Sequence, residues 1–277
     1  MRDGPTVSVV IPVWNEDLRS LRALYARLQR VLDVWATSWE LLLVDDGSQE
    51  RTAQALRALA EEDPRIHLLR FERRRGQEAA LVAGMLAACG TFICTMDCDL
   101  EHRPEDLPRM LAPLMEGCDL VLGRRRSLRN LSLARRLISK IYTVIMNIRW
   151  GVGLRDWGCG FNVLRGVLLD RVRPHVLRRP VEGPLKRTFI RCAARWAEVT
   201  VTPDVRRYGR SGYRGARFLR HAIRMVLFGT SSSSDGGEGA FSTAALTSSA
   251  SGVLSQARRF PLAHPVRCEL VGDERAD

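Results

Sequence analysis

Residues 91–99 read Thr91-Phe92-Ile93-Cys94-Thr95-Met96-Asp97-Cys98-Asp99. An apolar run of strand length stops at two carboxylates two residues apart. Bounded by Gly90 on one side and by acids on the other, it reads as a buried strand with a polar exit. The pattern occurs twice upstream. Val7-Ser8-Val9-Val10-Ile11-Pro12 leads into Trp14-Asn15-Glu16, and Trp39 to Val44 leads into Asp45-Asp46-Gly47-Ser48. Between these runs the apolar spacing becomes helical: Leu18, Leu21, Leu24, Tyr25, Leu28, Val31 and Leu32, then Thr52 to Ala60, then Gly76 to Ala88. Arg65 to Phe71 and Asp119 to Leu122 read as further strands, and Pro104 suits the first turn of a fourth helix. Strands alternating with helices predict an α/β fold, a Rossmann-like, mostly parallel central sheet flanked by helices. Ligands of such sheets bind beyond the carboxyl ends of the strands. The loops 14–16, 45–48 and 97–99 are therefore expected to be neighbours.

Charge divides the chain of 277 residues and net charge +12. Residues 1–122 carry 14 Lys and Arg against 20 Asp and Glu, residues 123–229 carry 25 against 5, and residues 230–277 carry 4 against 6. An acidic first half suits a cation, and a basic middle suits phosphates, nucleic acid or an acidic membrane. Within that middle, Leu131–Ile148 reads as a basic amphipathic helix, Gly158–Leu164 as a turn and short strand, Leu185–Trp196 as a helix, Glu198–Val201 as a strand and Ala216–Phe228 as a last helix. The chain from Thr230 is rich in Ser, Gly and Ala and is expected to be mostly disordered, with no core of its own. The expected division is a catalytic domain over 1–229, in two halves that meet at 122–123, and a low-complexity tail over 230–277. The seven cysteines show no zinc spacing and read as buried hydrophobes of a reducing compartment. No signal peptide and no run of membrane-spanning length is legible.

Two carboxylates projecting from one strand end repel unless a cation holds both ionised. Asp97 and Asp99, with Glu101 following, are candidate ligands for Mg2+ or Mn2+, which take oxygen donors including substrate phosphates. Asp45-Asp46-Gly47-Ser48 reads both as a turn with a helix cap and as a contact for a nucleotide base or ribose. Glu16 carries the same two readings. The first strand is followed by Pro12-Val13-Trp14-Asn15-Glu16 and not by GxGxxG, which speaks against NAD. The cations cluster as Gly123-Arg124-Arg125-Arg126 after strand five, as Arg135, Arg136, Ser139 and Lys140 on the next helix, and as Arg206 to Arg214. Arg135 and Ser139 share a helical face, and arginine forks suit phosphate.

In order along the chain, Val9-Val10-Ile11-Pro12 with Asn15-Glu16, Leu43 to Ser48 with Thr52, Gly76-Gln77 with Ala79-Ala80-Leu81, and Met96 to Leu100 with Pro104 resemble the family-two glycosyltransferases of GT-A fold. Asp156-Trp157-Gly158-Cys159-Gly160-Phe161 and Arg206, Gly209, Ser211, Tyr213 resemble its polyprenyl-phosphate branch, the dolichol-phosphate mannose synthases and bacterial undecaprenyl-phosphate sugar transferases. The likeness spans about residues 7–228. It implies a GT-A domain with a basic C-terminal helical extension, a UDP- or GDP-sugar donor and a polyprenyl-phosphate acceptor. By motif, Pro12, Glu16, Asp45, Asp46, Asp97 and Cys98 would hold the nucleotide sugar, and Asp97, Asp99 and Glu101 the metal, Glu101 standing where the family usually has Gln. Arg125, Arg135 and Ser139 would face the acceptor phosphate, and Asp99, Arg125 and Arg206 would carry the catalytic work. Gly212 stands where the family usually has Lys or Arg, with Arg210 and Arg214 nearby. Arg73-Arg74-Arg75 precedes Gly76 where relatives often have Asn-x-Gly.

The chemistry is consistent with that site. A phosphate monoester, with its second pKa near about 6, is largely a dianion at neutral pH. It needs no general base to attack a sugar carbon, and direct attack inverts the anomeric centre. Two rivals remain. A processive polysaccharide synthase would carry Gln-x-x-Arg-Trp, where this chain has Cys192-Ala193-Ala194-Arg195-Trp196. A basic nucleic-acid-binding protein would want aromatic stacking among its arginines and would be repelled by the Asp97/Asp99 edge. The expected location is cytoplasmic, peripheral to an anionic membrane surface on its cytoplasmic face, with a membrane-embedded partner as an alternative route to the lipid. On the helix at 216–228, Phe218, Leu219, Ala222, Ile223, Val226 and Leu227 share one face, the pattern of an interfacial helix.

Overall fold

The computed structural model describes residues 6–126, 133–177 and 184–204. The expectations placed on the tail, the 216–228 helix and Arg206 lie outside them. Seven strands form one sheet in the order β3-β2-β1-β4-β6-β5-β7. The strands are β1 (Val7–Val13), β2 (Trp39–Asp45), β3 (Ile66–Arg70), β4 (Phe92–Thr95), β5 (Leu120–Arg125), β6 (Asn162–Arg165) and β7 (Trp196–Val201). All neighbours pair parallel except β6, which runs antiparallel to both β4 and β5.

Side-chain alternation along the strands builds a layer on each face. Val7, Val9, Ile11 and Val13 of β1, with Leu41 and Leu43 of β2, pack into one core with Leu21, Leu24, Leu28 and Leu32 of α1 (Leu18–Trp35). That layer also takes α2 (Glu50–Glu62) and α4 (Leu107–Met115). Val10, Leu42 and Val44 point the other way, onto α3 (Gln77–Ala87), α6 (Gly166–Leu177) and α7 (Leu185–Cys192). Pro12 is tolerated inside a central strand because pairing with β4 ends at Val10–Thr95, so Pro12 lies beyond the last rung on that side.

The structure corrects the sequence reading in four places. A one-turn 3-10 segment, Pro104–Asp106, precedes α4. Strand β5 runs on through Arg125, so Arg124 and Arg125 belong to the strand and do not follow it. Trp196 opens β7 and does not end a helix, because α7 stops at Cys192. Helix α6 was not anticipated. Its buried Leu168, Leu169, Val172 and Val176 have helical spacing, but Pro174 within the segment interrupts the pattern. Helix α5 spans Leu133–Trp150, close to the expected bounds. The cysteines of the described residues are all free.

Candidate active site at the carboxyl edge of the sheet

The loops leaving β1 and β2 interlock. Asn15, at φ 50°, donates its backbone N–H to Ser48 Oγ at 2.9 Å, and its Oδ1 accepts from Gln49 N at 2.7 Å. Asp45 is fully buried, and its Oδ1 accepts from Ser48 N at 2.8 Å. Its second oxygen lies 3.3 Å from Arg70 Nε, an ion-pair distance without hydrogen-bond alignment. Asp46 turns to the loop before α3, where its carboxylate accepts from Arg75 N at 2.6 Å and from Gly76 N at 2.9 Å. Burial raises the Asp46 pKa, and those backbone donors and the Arg74 charge counter it. Gly47 sits at φ +70°, where a Cβ would lie 2.6 Å from Arg74 N. Only glycine lets the two loops close on each other. The Arg74 guanidinium then lies over the Trp14 ring at 3.6 Å.

The β4 exit joins the same edge. Cys98 is buried in the core. Burial pushes its thiol pKa well up, and the charges of Glu16, Asp99 and Asp97 push it further. All three carboxylates thus lie near enough to Cys98 for their charges to act on it. Pro12 is likewise buried, opposite Val44, so Pro12 and Cys98 can meet a ligand only through their backbones. Gln77 Nε2 donates to Asp97 Oδ1 at 2.7 Å, and His102 Nε2 lies 3.5 Å from Asp97 Oδ2. Asp99 Oδ1 accepts from Glu101 N at 3.0 Å across Leu100, which is held at φ 64°. A leucine in that region is strained, and such strain gathers at functional sites.

The antiparallel strand β6 brings the turn 156–160 to this edge. At Gly160 a Cβ would stand 2.5 Å from Asp97 Oδ2, so the missing side chain makes room for the carboxylate. Asp156 is buried and accepts from Arg125 Nε at 2.7 Å and from its second terminal nitrogen at 2.8 Å, a part-buried bidentate pair. Burial opposes both charges. The hydrogen bonds outweigh it, holding Asp156 below the usual carboxylate range and Arg125 above the usual guanidinium one. Beside the pair lies a cavity of about 260 Å³ lined by Arg125, Ser139, Lys140, Thr143, Val144, Arg155 and Asp156. Ser139 and Arg125, grouped from the sequence, thus share a cavity. Arg135 is on the same helix, with its side chain outside the described set. The Glu101 charge adds a small upward push to the Arg125 pKa.

The donors at Asp97 and Asp99 are oxygens, as a hard divalent ion wants. Among the described residues no group of three or more His, Cys, Asp or Glu side chains stands so as to hold a metal ion, so Asp97, Asp99 and Glu101 do not converge as the trio expected from the sequence. Sequence reasoning missed the roles of Gln77, which sits in a quoted motif, and of Lys186, which no motif marked. Lys186 Nζ donates to the carbonyl oxygens of Asp156, Trp157 and Cys159 at 3.3, 3.3 and 2.9 Å.

Comparison with known proteins agrees with this geometry. The chain is 35% identical over 221 residues to the undecaprenyl-phosphate 4-deoxy-4-formamido-L-arabinose transferase of Salmonella choleraesuis, covering 79% of this chain and 66% of the relative. The Salmonella newport protein of the same name matches to the same extent. The chain thus spans just under two thirds of the length of these curated relatives. Among solved structures, glucosyl-3-phosphoglycerate synthase from Mycobacterium tuberculosis, in complex with Mn2+, UDP and phosphoglyceric acid, superposes with a TM-score of 0.58 at 22% identity, over 80% of this chain and 76% of that one. At that identity the likeness establishes the fold, which is the GT-A arrangement. The family described as Glycosyl transferase family 2 matches residues 8–171, and the chain belongs to that family.

Proposed function

We propose that this protein transfers a sugar from a nucleotide-sugar donor, a UDP- or GDP-sugar, to a polyprenyl phosphate, with inversion at the anomeric carbon. The observation that carries the reading is the Arg125–Ser139–Lys140 cavity, tied by the 156–160 turn to the carboxylates at Asp97. Cations and hydroxyls await a phosphate on one side, and acids await a metal-bound diphosphate on the other. The names of the Salmonella relatives support the acceptor class. The Mn2+ and UDP bound by the structural neighbour support the donor and the metal.

In this reading Glu16 and Asp45 contact the nucleotide, with the backbones of Pro12 and Cys98, and Asp46 acts by shaping the 73–76 loop. Asp97 and Asp99 ligate Mg2+ or Mn2+, with Glu101 beside them. Bound there, a divalent ion neutralises charge on the leaving nucleoside diphosphate. Arg125, Ser139, Lys140 and Arg135 orient the acceptor phosphate, and Arg206 is assigned to the substrate phosphates. An acceptor oxygen bonds to the sugar's C1 as the bond from C1 to the diphosphate breaks, and the electron pair leaves with the nucleotide. The acceptor is already a dianion, so no histidine base is needed.

The domain acts peripherally at an anionic membrane surface on its cytoplasmic face. Among the described residues no helix is long and apolar enough to cross a membrane. Helix α5 turns Met146 inward, while Leu137, Ile141, Val144, Ile145 and Ile148 face outward, exposed. Val144 also lines the phosphate cavity, so an isoprenoid chain leaving that cavity would run along this stripe.

The test is a panel of labelled UDP- and GDP-sugars with undecaprenyl and dolichyl phosphate. Label is expected in the lipid fraction from one donor class, only with a divalent metal. A rival reading, a soluble phosphorylated acceptor such as the structural neighbour's phosphoglyceric acid, gains if label passes to phosphoglycerate and never to lipid.

A further inference from the structure

The turn 156–160 touches both halves of the site. Its first residue, Asp156, holds the Arg125 guanidinium by two hydrogen bonds and also accepts from Gly158 N at 2.9 Å. Its last residue, Gly160, fits against the Asp97 carboxylate, and its carbonyl accepts from Thr95 Oγ1 at 3.0 Å. Three carbonyls of the turn and its approach converge on a single donor, the ammonium of Lys186 on α7. A short turn with converging carbonyls is a concentration of negative dipole ends. A cation with several protons offsets that concentration.

We propose that Lys186 is a positioning residue for the transfer: by gathering the carbonyls of Asp156, Trp157 and Cys159, it fixes the distance between the Asp97 edge and the Arg125 cavity. The inference rests on the proposed function for what the two ends bind, but the anchoring itself does not depend on it. The charged groups around the ammonium are Asp156 and Cys159 of the turn, Arg125 of β5 and Glu198 of β7. Burial lowers the Lys186 pKa, Arg125 lowers it further, and Cys159, Asp156 and Glu198 oppose them. Burial also pushes the Cys159 thiol up to about 12, so that group stays neutral over the working range. A deprotonated Lys186 has two protons for three carbonyls. The turn should therefore loosen as pH rises through the lysine's lowered pKa.

The experiment compares the full-length wild type with Lys186→Met, which keeps length and loses charge, and Lys186→Arg, which keeps charge at all accessible pH. Amide hydrogen exchange of the peptide spanning 156–161 is expected to quicken at least tenfold in the Met variant, with β1 and β2 unchanged. Its kcat for lipid acceptor should fall about 10- to 100-fold while the donor's KM stays within about twofold, the split expected when geometry and not binding is lost. The Arg variant should retain activity at alkaline pH where the wild type declines. Unchanged exchange at 156–161 overturns the proposal, and so does faster exchange with unchanged kcat. If the Met variant does not fold, a shared alkaline limb in wild type and Arg variant overturns it as well. Should wild type glycosylate no polyprenyl phosphate, the functional reading fails, while the exchange data and metal-dependent donor hydrolysis still judge Lys186.

Discussion

Asp97 and Asp99 leave β4 two residues apart, yet different neighbours hold them. Asp97 is braced by Gln77, His102 and Gly160, whereas Asp99 accepts a hydrogen bond from the backbone of Glu101. An asparagine at 99 can keep that bond through its own Oδ1. Asp99→Asn is therefore expected to leave the thermal midpoint unchanged while turnover at limiting Mn2+ falls by roughly 100-fold, about 2.7 kcal/mol of transition-state stabilisation. Full activity at limiting metal would remove Asp99 from the site. Asp156→Asn is a different kind of change, because it strips the buried carboxylate from a largely buried pair. Such losses cost about 3–5 kcal/mol, visible as a lower denaturant midpoint. The folded-state pKa of Asp156 is depressed, so its contribution is present above the ordinary value of 3.8 and is lost as pH falls below it. The gap in stability between wild type and variant should accordingly be widest near neutrality and narrow in acid. A gap independent of pH would mean that the pair contributes through shape alone. Arg125→Lys keeps the charge but not the fork, and kcat/KM for the lipid acceptor should fall much more than donor affinity.

Helix α5 carries apolar residues on two sides. Tyr142, Met146 and Trp150 recur every fourth residue and pack against the core under β5 and β6. The opposite stripe is largely exposed, Ile148 to 79% and Leu137 to 60%. Surface substitutions there should change stability by no more than about 0.5 kcal/mol. The pair Ile141→Asp and Ile148→Asp is expected to weaken flotation with phosphatidylglycerol vesicles strongly and to leave metal-dependent donor hydrolysis intact. Flotation equal to wild type would move the membrane contact elsewhere, the 216–228 helix being the sequence's other candidate. The two-sided pattern also explains why periodicity alone does not orient this helix. A helix apolar on both sides has no single face to assign, and packing decides which one is buried.

Across the whole molecule the charge separation of the sequence becomes a spatial one, acids at the ends of β1, β2 and β4 and cations around β5 and α5. Binding to anionic vesicles should therefore fall steeply between low and physiological salt, where the screening length shortens to about 8 Å. A chain ending at residue 229 should keep transfer activity and vesicle binding, since the proposed machinery lies within 1–229. Loss of either would assign the tail a role. The β1–β4 half of the fold and its loop cluster were legible in the sequence, because strand exits in a parallel sheet share an edge and each apolar run ends at its acids. Helical spacing put Arg135 and Ser139 on one face, and the family resemblance joined Arg125 to them; Arg125 and Ser139 do line one cavity. Three things were decided only by the tertiary structure. Strand β6 inserts antiparallel between β4 and β5, which no local propensity dictates, and so delivers the 156–160 turn to the acidic edge. Asp45 and Asp46, alike in sequence, part company: one serves the 45–48 loop, the other clamps the loop before α3. Lys186, unremarkable among the basic residues of its half, becomes the hub of the turn. A contact between residues far apart in the chain leaves no periodicity and no spacing to read. It exists only once packing has brought them together.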